Sequence, residues 1–311
     1  MLAIFESILP VFLLILAGNI VRRLPLVDPA AWSGLEQLGY WVLYPALLFI
    51  TILNADFSGL GLNAMIAALL VAVLAMCAFT FCLWPLLERV GLAKASEFSS
   101  IFQTSVRWNG FIALAIAQKI FPPAGMAVVA LVMAVIIIPI NLASVFVVTR
   151  FADRSANWAK IGRGIATNPL ILASLSAILM RASPFGLYGP LNETLDLLGR
   201  AALGMGLVTI GAGLRVHDLL RPRAPIIVPV VLKLAFFPAL LVAMATTFGV
   251  EGQELLYLAL CAAVPTAMNG YLLARQLGGD AELYAAATTI QTVIAFFTIP
   301  MVLAITAQLA G

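Results

Sequence analysis

Charge is what this sequence has least of. Only 10% of its 311 residues are charged, against 63% hydrophobic, where soluble domains carry about 25% charged residues. A soluble globular domain is thereby excluded, and the mean hydropathy of +1.09 agrees. Histidine occurs once, as His217 in the basic loop "RVHDLLRPRA", so no histidine-based metal or acid–base cluster can form. The three cysteines, Cys77, Cys82 and Cys261, lie in apolar runs without metal-ligand spacing and read as small buried hydrophobes. The net charge of +3 is small and its cations are spread among loops, which excludes a nucleic-acid surface. The opening "MLAIFESILPVFLLILAGNIVRR" has no basic leader and no small-residue cleavage site, so it reads as a retained helix. Carboxylates are missing from the middle of every apolar run, which argues against a sodium/proton antiporter. No carboxylate pair or Ser/His/Asp set falls within those runs, and the chain does not read as an enzyme.

What is present is a succession of apolar segments of membrane-spanning length. Ten spans are expected, near 2–21, 33–53, 62–87, 98–119, 124–149, 164–181, 191–214, 224–248, 254–275 and 281–308. The fold class is therefore an all-α polytopic membrane protein. Of the 17 Lys and Arg residues, twelve fall in the loops after spans 1, 3, 5, 7 and 9, and only Lys119 and Arg181 lie at the other side. Basic loops stay on the cytoplasmic side. The linker 150–163 is then cytoplasmic and both termini face outward, on the periplasmic side of an inner (cell) membrane.

Two of the spans carry the same interruption. "RWNGFIALAIAQ" in span 4 and "VPTAMNGYLLARQLGGD" in span 9 share Asn-Gly-aromatic. Asn109 matches Asn269, Gly110 matches Gly270 and Phe111 matches Tyr271, all at one constant offset. Asn-Gly forms turns, and glycine costs roughly 1 kcal/mol relative to alanine in a helix interior. The same offset places Glu36 of "LEQLGYW" on Asp196 of "LDLLGRA". Shifted by a single position, it also relates Arg22 to Arg181 and Pro139 to Pro300. The chain reads as a duplicated five-helix unit, 1–155 and 156–311. Five is odd, so the second copy enters the membrane inverted. Matched interruptions in corresponding spans point to a transport site.

Where a span unwinds, its backbone groups must be satisfied inside protein or a wet cavity. Half-helix N-termini then offer donors and partial positive charge to an anion. The candidate binding residues are Arg107, Asn109, Gly110, Pro265, Thr266, Asn269 and Gly270, with Gln103, Thr104, Lys233, Tyr271 and Gln291 as further cavity or ion contacts. Arg107 and Lys233 sit near mid-span with no carboxylate in sequence reach, whereas Arg200 has Asp196 one helical turn away. Two such cations favour an anionic cargo. The alternative is that they bond backbone carbonyls at the break or snorkel along their stems.

With these residues in view, the chain resembles the auxin efflux carrier family, which includes the plant PIN proteins and bacterial organic-anion transporters. The resemblance spans essentially the whole sequence. It rests on the 5+5 layout, "RWNGFIALA", "VPTAMNGYLLARQLGGD" and the later "FFTIP". Two departures are visible: plant members carry a proline at the span 4 break, where Asn109-Gly110 stands here, and the long cytoplasmic loop of many plant members is replaced by the short linker 150–163. The resemblance implies a bile-acid-symporter-like fold, with a scaffold from spans 1, 2, 6 and 7 and a transport domain from spans 3–5 and 8–10. It further implies that spans 4 and 9 cross at their breaks, that Asn109, Pro265 and Asn269 are crossover residues, and that a substrate carboxylate binds beside them while elevator-like sliding gives alternating access.

The expected function is secondary transport of a small organic anion, a mono- or dicarboxylate of auxin-like or malonate/malate-like type. The alternatives are a sodium-coupled symporter of the bile-acid-carrier type and a non-transporting membrane sensor. No cofactor or metal is expected, and the coupling ion, H+ or Na+, is left open. The expected partners are the substrate and membrane lipid, without nucleic acid, and a homodimer through the scaffold helices.

Overall fold

A computed structural model describes residues 2–25, 27–151, 159, 163, 166–215, 217 and 223–310. The boundary expected at 155/156 and most of the linker 150–163 lie outside the described residues. Among these residues the chain is helical, with no strand. Seven helices are long and apolar enough to cross a membrane by length and composition, and Pro169–Ala182 and Gly252–Ala263 are shorter apolar helices.

The first stretch runs Leu2–Arg23 (α1), Ala31–Leu38 (α2), Tyr44–Leu53 (α3), Leu62–Cys82 (α4) and Trp84–Arg89 (α5). It continues through Ala95–Val106 (α6), Gly110–Ile120 (α7) and Pro123–Phe151 (α8). The second comprises Pro169–Ala182 (α9), Gly189–Gly213 (α10), Ile227–Val231 (α11), Phe237–Thr247 (α12), Gly252–Ala263 (α13), Gly270–Leu277 (α14) and Ala281–Ala310 (α15). Two π turns, Gly39–Leu43 and Leu232–Phe236, join α2 to α3 and α11 to α12. Each lies just before a proline, Pro45 or Pro238. Proline has no N–H to return to the preceding turn, and the helix widens locally where that bond is missing.

The helices pack around two groups of crossings that also touch each other: α1 and α10 pack on α7, α3 and α9 on α8, and α1 on α15. In the first group, α1 crosses α10 and α3 crosses both α9 and α10. The α1–α10 crossing is backbone on backbone: a methyl group on Gly18 would overlap the Val208 carbonyl oxygen, and one on Gly211 would overlap that of Ile15. In the second group, α6 and α7 pack on α8, α4 on α12, and α13 on α12 and α15. The centre of this group is filled by Phe98, Phe102, Ile112, Leu258 and Tyr284, all fully buried.

The ends of the first group are closed by side chains. A helix leaves its last carbonyls without partners. Asn19 Nδ2 donates to the carbonyls of Gly211 (3.1 Å) and Leu214 (2.9 Å), and Arg22 Nη1 to that of Ala212 (2.7 Å). At α3, Arg181 Nη1 donates to the carbonyls of Ile52 (3.3 Å), Leu53 (3.0 Å) and Ala55.

Candidate functional site

Both segments that carry Asn-Gly-aromatic leave the helix. After Val106 the chain leaves the helix: Arg107 is extended (φ −72°, ψ 157°), and Asn109 starts α7 as its cap, Oδ1 accepting from Ile112 N at 3.2 Å. A capping oxygen of this kind satisfies one of the free donors of the first turn. In the second segment Val264 is extended (φ −69°, ψ 151°) because Pro265 follows and disfavours helical geometry before it. The breaks meet directly, with Asn109 N donating to the Pro265 carbonyl at 2.7 Å.

Several of the other backbone groups released by unwinding find a side chain. In a continuous helix Thr266 N would bond the Ala262 carbonyl. Here the pair is divided: Gln291 Oε1 accepts from Thr266 N (3.0 Å), and Lys233 Nζ donates to the Ala262 carbonyl (3.0 Å). Gln291 Nε2 also donates to the Thr104 carbonyl (2.9 Å), freed at the end of α6, and to that of Pro229 (3.0 Å). Lys233 is fully buried, with its ammonium 4.5 Å from the centre of the Phe237 ring. It thus takes the carbonyl-bonding alternative raised by the sequence. A cation there also matches the negative end of α13.

Arg107 is buried at 7% exposure, and its Nη2 donates to Asn141 Oδ1 at 2.9 Å. Its Nε has no hydrogen-bond partner among the described residues. Two more buried polar groups beside the breaks make no well-formed hydrogen bond among the described residues: Thr266 Oγ1, which lies beside the Tyr284 hydroxyl, and Gln103 at both its amide ends. Ser144, one helical turn from Asn141, also has a buried hydroxyl without a partner. Such atoms are costly unless something satisfies them.

The glycines allow close approach. A methyl group on Gly110 would run into the Met133 sulfur, and one on Gly270 into the Tyr284 hydroxyl. That hydroxyl donates to the Ala267 carbonyl at 2.5 Å.

The remaining candidates divide. Thr104 spends its hydroxyl on the carbonyls of Ser100 (2.7 Å) and Ile101 (3.3 Å), so only its carbonyl takes part. Asn269 is exposed and does not cap α14. Tyr271 lies under the Arg215 guanidinium, 5.6 Å from ring centre to carbon, and its repeat mate Phe111 stacks on Tyr44 at 3.6 Å. Asn141 and Tyr284 were not among the candidates. Asn141 stands out in sequence only as a polar residue within the apolar run "IIIPINLASVF", and Tyr284 has no motif to mark it.

The two breaks thus meet beside a buried cation and open hydrogen-bonding groups. Residues 156–303 match the family described as "Membrane transport protein", which contains the auxin efflux carrier and PIN-like transporters. No curated protein matches the chain. The family match and the apolar helices together indicate an integral membrane protein that acts as a transporter.

Proposed function

We propose that the protein is a secondary transporter of a small organic anion, whose carboxylate binds where the breaks meet. The observation carrying this reading is Arg107: buried, bonded to the neutral Asn141, and keeping an open Nε with no carboxylate partner among the described residues. An arginine stays charged, and a buried charge is tolerated when it is paired. A carboxylate cargo completes the pair, with Thr266 Oγ1 and the uncapped N-terminus of α14 as further donors.

On this reading the chain is two inverted five-helix repeats, 1–155 and 156–311, crossing the membrane ten times. The group containing α1–α3, α9 and α10 is the scaffold, through which two copies would pair. The group containing α4–α8 and α11–α15 slides along it. The α1–α10 and α3–α9 crossings in the first group and the α4–α12 and α13–α15 crossings in the second support this division.

The test is ligand-dependent stabilisation of the purified protein across mono- and dicarboxylates, because a ligand that binds only the folded state raises its apparent stability. Uptake into proteoliposomes follows, with and without sodium. A carboxylate should stabilise the wild type and not Arg107→Ala. Equal stabilisation of both would sink the assignment of the site, and absence of flux for every stabilising anion would sink transport. Sodium-dependent uptake would favour the symporter alternative.

A further inference from the structure

Gln291 is the one side chain among the described residues that hydrogen-bonds the backbone of both broken segments. It sits within α15 and is fully buried. Its Oε1 accepts from Thr266 N at 3.0 Å, and its Nε2 donates to the Thr104 carbonyl at 2.9 Å and the Pro229 carbonyl at 3.0 Å. A glutamine amide has two N–H donors, and both are used. The amide cannot turn over: two carbonyls require its nitrogen and one N–H requires its oxygen.

From this geometry we infer that Gln291 is a positioning residue that sets the register of the two breaks and thereby the ligand site between them. The inference rests on the reading of the crossover as that site. Three independent pieces of chain converge on one planar group: the end of α6, the turn after Pro265, and α11 beside its π turn. Arg107 follows closely on Thr104, and the open hydroxyl of Thr266 belongs to the residue whose N–H Gln291 holds. A shift of the amide would displace the cation and the hydroxyl relative to each other. The Thr266 N–H, which could otherwise bond an anion, is already engaged, leaving the hydroxyl to face a ligand.

A glutamine that only filled space between helices could be replaced by leucine without a local signature. A positioning amide predicts one. In Gln291→Leu the Thr266 N–H and the Thr104 and Pro229 carbonyls all lose their partner. In Gln291→Glu the outcome depends on protonation. The ionised acid turns an oxygen on two carbonyls, whereas the neutral acid donates its O–H to one of them and still accepts from Thr266 N.

The experiment combines amide hydrogen exchange of the purified full chain with binding of two probes, malonate and indole-3-acetate. In Gln291→Leu, exchange in the segments 104–110 and 264–270 should speed up by about tenfold or more, with α1 and α10 unchanged. Probe affinity should fall about tenfold to a hundredfold, the scale of lost buried hydrogen bonds. Gln291→Glu should be milder, and its exchange and affinity, each relative to wild type at the same pH, should approach wild type as the pH falls. If Gln291→Leu does not fold, the pH dependence of Gln291→Glu carries the test alone. Unchanged exchange at both breaks, a change at only one, an even rise over all helices, or a Gln291→Glu variant indifferent to pH would each overturn the assignment. Faster exchange at both breaks with unaltered probe binding would uphold the positioning role and instead remove the crossover as the ligand site.

Discussion

Arg22 and Arg181 perform the same task at two different helix ends. Arg22, at the end of α1, donates to the Ala212 carbonyl near the end of α10, and Arg181, in the last turn of α9, donates to the Ile52 carbonyl near the end of α3. The two arginines correspond in the sequence repeat, and the carbonyls they bond, those of Ala212 and Ile52, correspond at the offset that relates Asn109 to Asn269. Each helix thus closes a partner from the other half of the chain.

Removing either guanidinium should therefore have a similar cost. Arg22→Ala and Arg181→Ala are each expected to lower stability by at most about 1.5–3 kcal/mol, the range for hydrogen bonds to a charged group. Thermal unfolding in detergent measures this. Wild-type stability in either variant would show that its cap contributes nothing.

The two break glycines should differ in tolerance. A methyl on Gly110 meets the flexible Met133 side chain, whereas one on Gly270 meets a Tyr284 hydroxyl held on a rigid ring by the Ala267 carbonyl. Gly270→Ala should cost about 1–3 kcal/mol as overpacking, and Gly110→Ala distinctly less. Unfolding midpoints of both variants decide this, and the reverse order would contradict the packing described.

Asn109 and Asn269 look equivalent in sequence and should separate in experiment. Asn109 caps α7, so Asn109→Ala should lose about 1 kcal/mol of stability. Asn269 is exposed and caps nothing, so Asn269→Ala should leave stability unchanged and alter only the binding of an anion. Stability and affinity measured on the same preparations test both statements. A destabilised Asn269→Ala would refute the second.

Orientation is open to a labelling test. In a background without Cys77, Cys82 and Cys261, an impermeant thiol reagent added to intact cells should label Gly186→Cys, which has open space around it. Asn157→Cys should be protected. The opposite pattern would reverse the membrane orientation and the side on which each half-helix opens.

The breaks were legible in the sequence because their cause is local: an Asn-Gly pair that starts a half-helix, and a proline that straightens the residue before it. The cations were legible too, since charge is conspicuous in an apolar run. Their partners were not. Asn141 and Arg107 stand on different helices, and Gln291 and Thr104 stand in different halves of the chain. Within α15, Gln291 looks the same whether it packs between helices or bonds two breaks. The asparagines mislead in the other direction. Equal offset implied equal use, yet Asn109 stands at ψ 89° as a cap while Asn269 stands at ψ −25° within a turn.

The unpaired guanidinium of Arg107 has an electrical consequence. On the sliding reading, the empty carrier moves a bare positive charge through part of the membrane field, and the carrier loaded with a monoanion moves none from that pair. A full unit charge crossing the whole field is worth about 2.3 kcal/mol per 100 mV. Voltage would then act on the unloaded return and spare the loaded passage, so the current accompanying flux would count the charges on the cargo.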